Sequence, residues 1–432
     1  MKTLIHLFSL LLFVLFLFVV VSADPIVVSG GPDNDYESWI SALSDGRLMI
    51  VFDRNPDWQS GDLYSTFSVD DGNSWSTPTV AIADSADQAT LCFIQMPGDT
   101  IKLWYASNET GNYRIYSAYS MDGSNWVKKG MIELGWESSY NYYDPTVIME
   151  GDSSLTMSYV VSGLGVFISH KPYGGQWDTL RTMVYSSGFR ARVMKHSNGT
   201  YLYTYHRRSD SGQYDYDVFV RTSTDRVNWD EEIRLTDNKN SHDPFPNEAP
   251  DGAYIIYYAK YETPSYNLYR RISYDAVNWG NEEQITFDNV NNTQPHFFIR
   301  SNNIYLVWAH AVNYPSDHDV YFEKTPYLSE VREPDASVKP EGNLNVNIHP
   351  NPSNPSTLIS YTLPNPAEVS INIYDILGRL AVTLINQNQS AGYHSILWNG
   401  KTVNNKKLPS GVYLINIVAG GIKETEKVLI LR

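Results

Sequence analysis

The sequence predicts an all-β chain: a six-bladed β-propeller of four-stranded blades, followed by a small immunoglobulin-like β-sandwich. Three observations predict it. Five tryptophans recur at intervals of about 50 residues along the first three quarters of the chain. Between them, short apolar or alternating runs rich in Val, Ile, Tyr and Phe are broken by "DG", "NG" and "GD" turns, as consecutive antiparallel strands require. After residue 326 this pattern stops and a different one begins.

The chain opens with Met1-Lys2, the apolar run "LIHLFSLLLFVLFLFVVV" and then "VSAD". A basic start, a greasy centre and small residues before a cleavage point read as a signal peptide over residues 1–23, cut after Ala23. An uncleaved anchor is the alternative, because a run of about 18 apolar residues is long enough to span a bilayer. No later segment is long and apolar enough to do so.

Residues 24–326 form the repeat region. "SVDDGNSW" (68–75), "SMDGSNW" (120–126), "STDRVNW" (223–229) and "SYDAVNW" (273–279) each carry a serine, an aspartate two residues on and a closing tryptophan. Trp75, Trp126, Trp177, Trp229 and Trp279 are evenly spaced, which marks "SHKPYGGQW" (169–177) as a worn third copy. One period before Trp75 reaches residue 24 and one period after Trp279 reaches residue 330, so six units fit. Each unit holds four strands, as in "ARVMKHSNGTYLYTYHR", "DYDVFVRTSTDRVNW" and "EEIRLT". Four-stranded sheets repeated radially hide their edges by closing a ring. An open solenoid of the same period is the competing architecture, and the long repeat with its Ser-Asp-Trp turn favours the ring.

These serine-aspartate-tryptophan repeats resemble the Asp-box, or BNR, repeats of the sialidase superfamily, over roughly residues 24–330. The resemblance implies a six-bladed propeller with each repeat turn between the third and fourth strands of a blade, on the side away from the active site. Local chemistry agrees. Asp70 and Asp122 are placed to accept hydrogen bonds from their own turns, and Gly72 supplies a left-handed position. The aspartates are therefore expected to brace turns and not to catalyse.

Composition narrows the partners. Lysine and arginine number 32 against 48 acidic residues, a net charge of −16, so the chain repels nucleic acid and anionic lipid on average. Cys92 is the one cysteine, so no internal disulfide forms and core burial must hold the fold. No cofactor or metal motif is present. "QYDYD" (213–217) reads as an exposed strand face.

In a propeller the loops that enter the innermost strands, and those joining second strands to third, crowd one mouth, where pockets form. The entering loops bring Glu37, Asp87, Asp144, Arg190, His242, Asp243 and Gln294 towards a common centre. The second-to-third loops add Arg54, Arg207, Arg208, Lys260, Glu262 and His310, with Trp58 and Tyr261 as sugar platforms at the rim. Asp87, Asp144, Asp243 and His242 are the candidates for acid, base or nucleophile. Arg54, Arg190 and Arg207, with Lys260, Glu262, His310, Tyr261 and Trp58, are the candidates for holding substrate.

The resemblance implies three arginines on a substrate carboxylate, a tyrosine nucleophile helped by a glutamate, and an aspartic acid/base. The sequence departs from this: the early Arg-Ile-Pro type motif is replaced by "DYESW", and the sixth entering loop lacks a tyrosine, although Tyr314 is near. The expectation is therefore broader, a glycoside hydrolase or lyase acting on extracellular glycan. A non-catalytic glycan binder or structural surface propeller is the alternative.

Residues 327–343, within "LSEVREPDASVKPEGN", read as a linker. Residues 344–432 follow with the strands "STLISYTL", "EVSINIYDI", "YHSILWNG", "GVYLINIVAG" and "KVLILR", a small β-sandwich. "HPNPSNPST" (349–357), "IYDILGR" (373–379), "SAGYHSILWNG" (390–400) and "LPSGVYL" (408–414) are similar to the C-terminal sorting domain of type IX secretion cargo. That resemblance implies the type IX machinery as a partner and release or attachment outside a bacterial outer membrane.

Overall fold

The computed structural model describes residues 24–327, apart from 57–59, 136–138, 179–181, 209–214, 238–239 and 312–316. It also describes residues 345–431, apart from 350, 352, 354–356, 364–365, 390–391, 399 and 403–405. The expected signal segment, nearly all of the expected linker, Trp58 and Tyr314 lie outside these residues. The described residues form strands and no helix.

Four sheets in the first region are built from four consecutive strands each, over residues 88–131, 142–185, 189–234 and 241–284. A larger sheet joins the two ends of the region. Its first half is Asn34–Ala42, Leu48–Asn55, Asp62–Ser68 and Thr79–Ile82; its second is Asn292–Arg300, Asn303–Ala311 and His318–Pro326. The short strand Ile26–Val27 completes the second half by pairing antiparallel with Phe322 and Tyr321. Val28 N–H then donates to the Val320 carbonyl (2.8 Å), and Ser29 Oγ accepts from Val320 N–H (3.0 Å). The segment 26–29 is thus sewn to the end of the repeat region.

The first strand of every group is innermost. Asn34–Ala42 packs on Gln88–Gln95, which packs on Tyr142–Met149, then Phe189–Lys195, Ser241–Glu248 and Asn292–Arg300, which returns to Asn34–Ala42. The arrangement is propeller-like, a closed ring of four-stranded groups with a polar hub. Its apolar core lies between sheet faces, where Met49, Val51, Phe93, Leu103, Tyr159 and Ile255 are buried. Near-continuous burial along strands such as Leu48–Asn55, Leu155–Val161 and Tyr254–Glu262 explains the apolar runs from which the sequence predicts them.

The repeat turns join third strands to fourth, and their aspartates act locally. Asp122 Oδ1 accepts from the N–H groups of Ser124 and Asn125 (2.8 Å each), and Asp225 and Asp275 accept equivalently from Val227, Asn228, Val277 and Asn278. Hydrogen bonds from Asn125 and Asn228 hold the Asp122 and Asp225 carboxyls well below the usual range. Trp126, Trp229 and Trp279 donate their indole N–H to the carbonyls of Gly123, Arg226 and Ala276 in the same turns. These turns also lean on the preceding sheet. A Cβ added to Gly123, at φ 78°, would meet the Phe67 ring at 2.8 Å, and one added to Gly72, at φ 94°, would meet Phe322 at 2.5 Å.

In the C-terminal region one sheet orders Asn345–His349, Thr357–Leu363 and Gly392–Trp398. The other orders Leu380–Gln389, Ala367–Asp375, Gly411–Ala419 and Ile422–Ile430. They enclose one core that includes Ile359, Tyr361, Ile371, Trp398, Ile415 and Val428. Two of these strands, Asn345–His349 and Leu380–Gln389, are absent from the sequence reading. The second ends in "NQNQ", residues of low strand propensity that are mostly exposed here and are paired regardless by their neighbour.

Gly123→Ala should therefore destabilise the chain by about 2 kcal/mol in urea unfolding, combining a left-handed alanine with overpacking on Phe67. Gly174→Ala, at φ 70° with open space around it, should cost about 1 kcal/mol. Equal losses at the two positions would refute the packing contribution.

Candidate functional site

Each innermost strand breaks register at the same level, and the residue at the break adopts a left-handed backbone. They are Glu37 (φ 51°), Thr90 (34°), Asp144 (56°), Arg190 (53°), Asp243 (55°) and Gln294 (55°), one from each group. None is glycine or asparagine, so each carries a backbone cost of about 1–3 kcal/mol that the surroundings must offset. Bulges of this kind re-aim side chains, and here they face one cavity of about 720 Å³ at the hub.

Neighbouring groups interlock through these bulges. Asp144 N–H donates to Thr90 Oγ1 (3.0 Å), Arg190 N–H to Asp144 Oδ2 (3.1 Å), and Glu37 N–H to Gln294 Oε1 (3.1 Å). Gln294 Nε2 returns a bond to Glu37 Oε1 (2.9 Å). Asp243 N–H donates to Nδ1 of His206 (3.1 Å), whose imidazole burial pushes down to about 3, so it stays neutral and accepts.

Arg190 is the one arginine or lysine among the described lining residues, and its guanidinium pairs with Glu37, with Asp144 (3.0 Å) and with Asp243 (3.3 Å). Burial raises the Glu37 carboxyl, against the pull of Arg190. Burial also opposes the charge on Asp243, but His242, hydrogen-bonded at 2.8 Å, and Arg190 hold that carboxyl well below its ordinary value. Asp243 is therefore ionised across the working pH range.

Asp53 is the opposite case. It lies near the end of the strand Leu48–Asn55, lines the cavity, and its Oδ1 is buried without a hydrogen-bond partner among the described residues. Burial first, then the charges of Asp87 and Glu37, push its carboxyl well above the carboxylate range. Gly61 explains how Asp53 and Asp87 come so close: a Cβ there would lie 2.5 Å from Asp53 Oδ1 and 2.8 Å from Asp87 Oδ1. Asp87 itself accepts from Gly61 N–H (2.7 Å) and from the Tyr113 hydroxyl, and stands behind the lining. Tyr36, Tyr113, Tyr143, Tyr216 and Tyr266 complete the walls.

The structure brings Glu37, Asp144, Arg190, His242, Asp243 and Gln294 together at the cavity, with Asp87 in contact with the lining residues. It places Arg54, Arg207, Lys260, Glu262, His310 and Tyr261 outside that lining, and Trp58 is not among the described residues. Arg54 makes a forked pair with Asp35 (2.7 and 2.8 Å) and lies over the Tyr64 ring. Arg207 pairs with Glu232 and lies over Phe219 (4.0 Å). Lys260 is buried against Glu282, with Glu262 at 3.4 Å. His310 bonds to Asn292 (2.8 Å) and packs on Tyr321. Tyr261 meets Tyr266 edge-on at the rim. The physical reason is strand alternation. Residues read as loop prove to be strand ends, where Asp53 and Asn55 face the hub and Arg54 must face away. Asp53 and the tyrosines were missed for the same reason, and the alternation in "VFDRN" was the available signal.

Comparisons with known proteins fit this geometry. Residues 347–431 match the family described as a secretion system C-terminal sorting domain. The chain is thus exported by type IX secretion, to the medium or the cell surface. No curated protein matches the chain. Among solved structures, a Dyadobacter fermentans protein of unknown function is similar at 13% identity and TM-score 0.58, over 71% of this chain and 98% of that one. A Penicillium chrysogenum alpha-L-arabinanase complexed with arabinobiose is similar at 16% identity and TM-score 0.55, over 71% and 98%. The NanB sialidase of Streptococcus pneumoniae is similar at 10% identity and TM-score 0.56, over 70% of each chain. At these identities the likeness is one of fold, the sialidase-like β-propeller.

The raised Asp53 carboxyl makes stability depend on pH. Its protonated form is shared with the unfolded chain below about pH 4, and its contribution is lost as pH rises through the folded value, where a buried charge opposes the fold. Asp53→Asn cannot ionise, so its Tm relative to the wild type should climb between pH 4 and pH 8. Asp319, pushed up to about 6 by burial and the charges of Asp35 and Asp317, titrates in both proteins and cancels in the difference. A pH-independent difference would show that Asp53 is not held protonated.

Proposed function

We propose that residues 24–326 form a six-bladed propeller and residues 344–432 an immunoglobulin-like sorting sandwich, and that the exported protein is a glycoside hydrolase for uncharged glycans. The observation that carries the reading is Arg190. A carboxylate-bearing sugar needs cations with charge to spare, and the lining arginine is already met by three carboxylates. With Asp53, Asp144, Asp243 and Glu37 around it, the cavity disfavours an anionic sugar and suits one recognised by hydroxyl groups and ring faces. The five tyrosines supply those faces. This departs from a sialidase clamp of Arg54, Arg190 and Arg207, and agrees in kind with the neutral disaccharide bound by the Penicillium enzyme.

Two carboxyls held apart in protonation supply the chemistry. Asp53, kept neutral, gives its proton to the glycosidic oxygen as the bond to the anomeric carbon breaks. Asp243, kept ionised, takes the proton of the water whose hydroxyl adds to that carbon, or adds itself and is then released by water. Asp144 and Glu37 fix the Arg190 guanidinium that holds Asp243 ionised. No cofactor or metal enters this scheme.

The mature chain should release reducing ends from neutral polymers such as arabinan or galactan and not sialic acid from sialosides. Asp53→Asn should lower kcat by roughly 10²- to 10⁴-fold while leaving KM within a few-fold. Preferential cleavage of sialosides would overturn the charge argument. Binding of neutral oligosaccharides without turnover would leave a capture protein in place of an enzyme.

A further inference from the structure

A second cavity of about 670 Å³ lies between the sheets of residues 88–131 and 142–185. It is not part of the hub. Val160 faces the central cavity and Leu155, at the other end of the same strand, faces this groove. Five residues of strand separate them, about 17 Å.

The chemistry of the groove is the reverse of the hub's. Three lysines line it, Lys102, Lys129 and Lys171, with one carboxylate, the exposed Glu133. Among the described residues no carboxylate is within ion-pair distance of any of the three. The other described lysines of the ring are paired: Lys128 with Asp84, Lys195 with Glu150, Lys260 with Glu282 and Lys324 with Asp71. In a chain of net charge −16, three unpaired ammonium groups around one groove are a local exception. Burial, then the charge of Lys171, holds Lys102 below its ordinary value, so like charges are kept together at a cost that an anion would relieve.

The groove also has an aromatic wall, at the worn repeat. Trp126, Trp229 and Trp279 are tied by their indole N–H to their own turns. In the third copy Pro172, Gly174 and Gly175 replace the aspartate turn, Gly175 N–H closes onto the Pro172 carbonyl (2.9 Å), and Lys171 Nζ reaches the Gly175 carbonyl. The Trp177 indole N–H, like that of Trp75, makes no such bond among the described residues, and its ring, half-exposed as in the other repeats, lines the groove. Tyr119 stands opposite with the Lys129 ammonium 4.7 Å from its ring centre.

We propose that this groove is a second, non-catalytic carbohydrate site that takes a segment of an anionic polysaccharide, its ring on Trp177 and its carboxylate or sulfate groups on Lys102 and Lys171. A flat indole beside unpaired ammonium groups matches a sugar ring with an anionic substituent; an acidic peptide offers the charge without the flat face. The site would hold the protein on a charged matrix while the hub works on a neutral chain, and it does not depend on the hub being catalytic.

The test uses the full mature chain, with polygalacturonate oligosaccharides and dextran sulfate as probes and dextran and poly-L-glutamate as controls, read by tryptophan fluorescence and affinity electrophoresis. At least one anionic polysaccharide should bind, and bind more weakly as salt rises. The better of the two identifies the anion. Lys102→Gln with Lys171→Gln should weaken binding at least tenfold at unchanged Tm. Trp177→Ala should abolish the fluorescence change, Lys102→Arg should retain binding, and Asp53→Asn should leave it unaltered. Absence of binding to both polymers, binding indifferent to the lysine pair, or poly-L-glutamate binding as tightly as the polysaccharides would overturn the proposal.

Discussion

The hub depends on one guanidinium. Arg190 meets carboxylates from three different sheets, Glu37, Asp144 and Asp243, in a place where charged groups are taken out of water. Buried ions of this kind are poor contributors to net stability, but removing one partner leaves the others uncompensated at a cost of about 3–5 kcal/mol. The constraint is therefore mutual. Each inner strand must bulge to bring its residue to the axis, and at Glu37, Asp144, Arg190 and Asp243 the neighbouring group supplies the hydrogen bond that the displaced N–H requires. Ring closure, backbone strain and site charge are three consequences of the same arrangement.

The repeat was legible because its interactions are short in sequence. Asp122, Asp225 and Asp275 bind N–H groups two and three residues on, so spacing alone discloses the turn, and evenly spaced turns disclose the ring. The loops entering the inner strands were legible for the same reason, and Asp144, Arg190, His242 and Asp243 came with them. What was not legible is parity. Choosing Arg54 over Asp53 means knowing whether residue 53 closes a strand or opens a loop, and that is settled by pairing with Leu63 across the sheet. The left-handed bulge residues gave no local signal either. Glutamate, threonine, arginine and glutamine do not advertise positive φ as glycine, asparagine or, more weakly, aspartate does, and they adopt it because the hub demands it.

Closure also explains a feature that a count of repeats hides. The final group has three strands of its own, and the fourth comes from Ile26–Val27, ahead of the first group. The ring is shut by backbone pairing between distant parts of the chain, reinforced by Ser29 on Val320, in a protein with a single buried cysteine and no disulfide to do it. Long-range pairing of this kind is slow to form and leaves edges exposed meanwhile, a sensible match for a chain that must reach the cell exterior before its hub is of use.

The same architecture separates scaffold from chemistry. Turn aspartates and tryptophans act at one end of the strands and within their own turns; the bulge residues act at the other end and across groups. A change at Arg190 or Asp53 alters the charge of the cavity without touching a repeat turn, and the worn turn 169–177 borders a groove that is separate from the hub. One ring can thus present an acidic, tyrosine-walled cavity on one side and a lysine-lined groove on the other, although its overall charge is strongly negative. Net charge, which excludes nucleic acid as a partner on average, says little about what each concave surface will hold, because each is lined by only a handful of side chains whose pairing decides the local field.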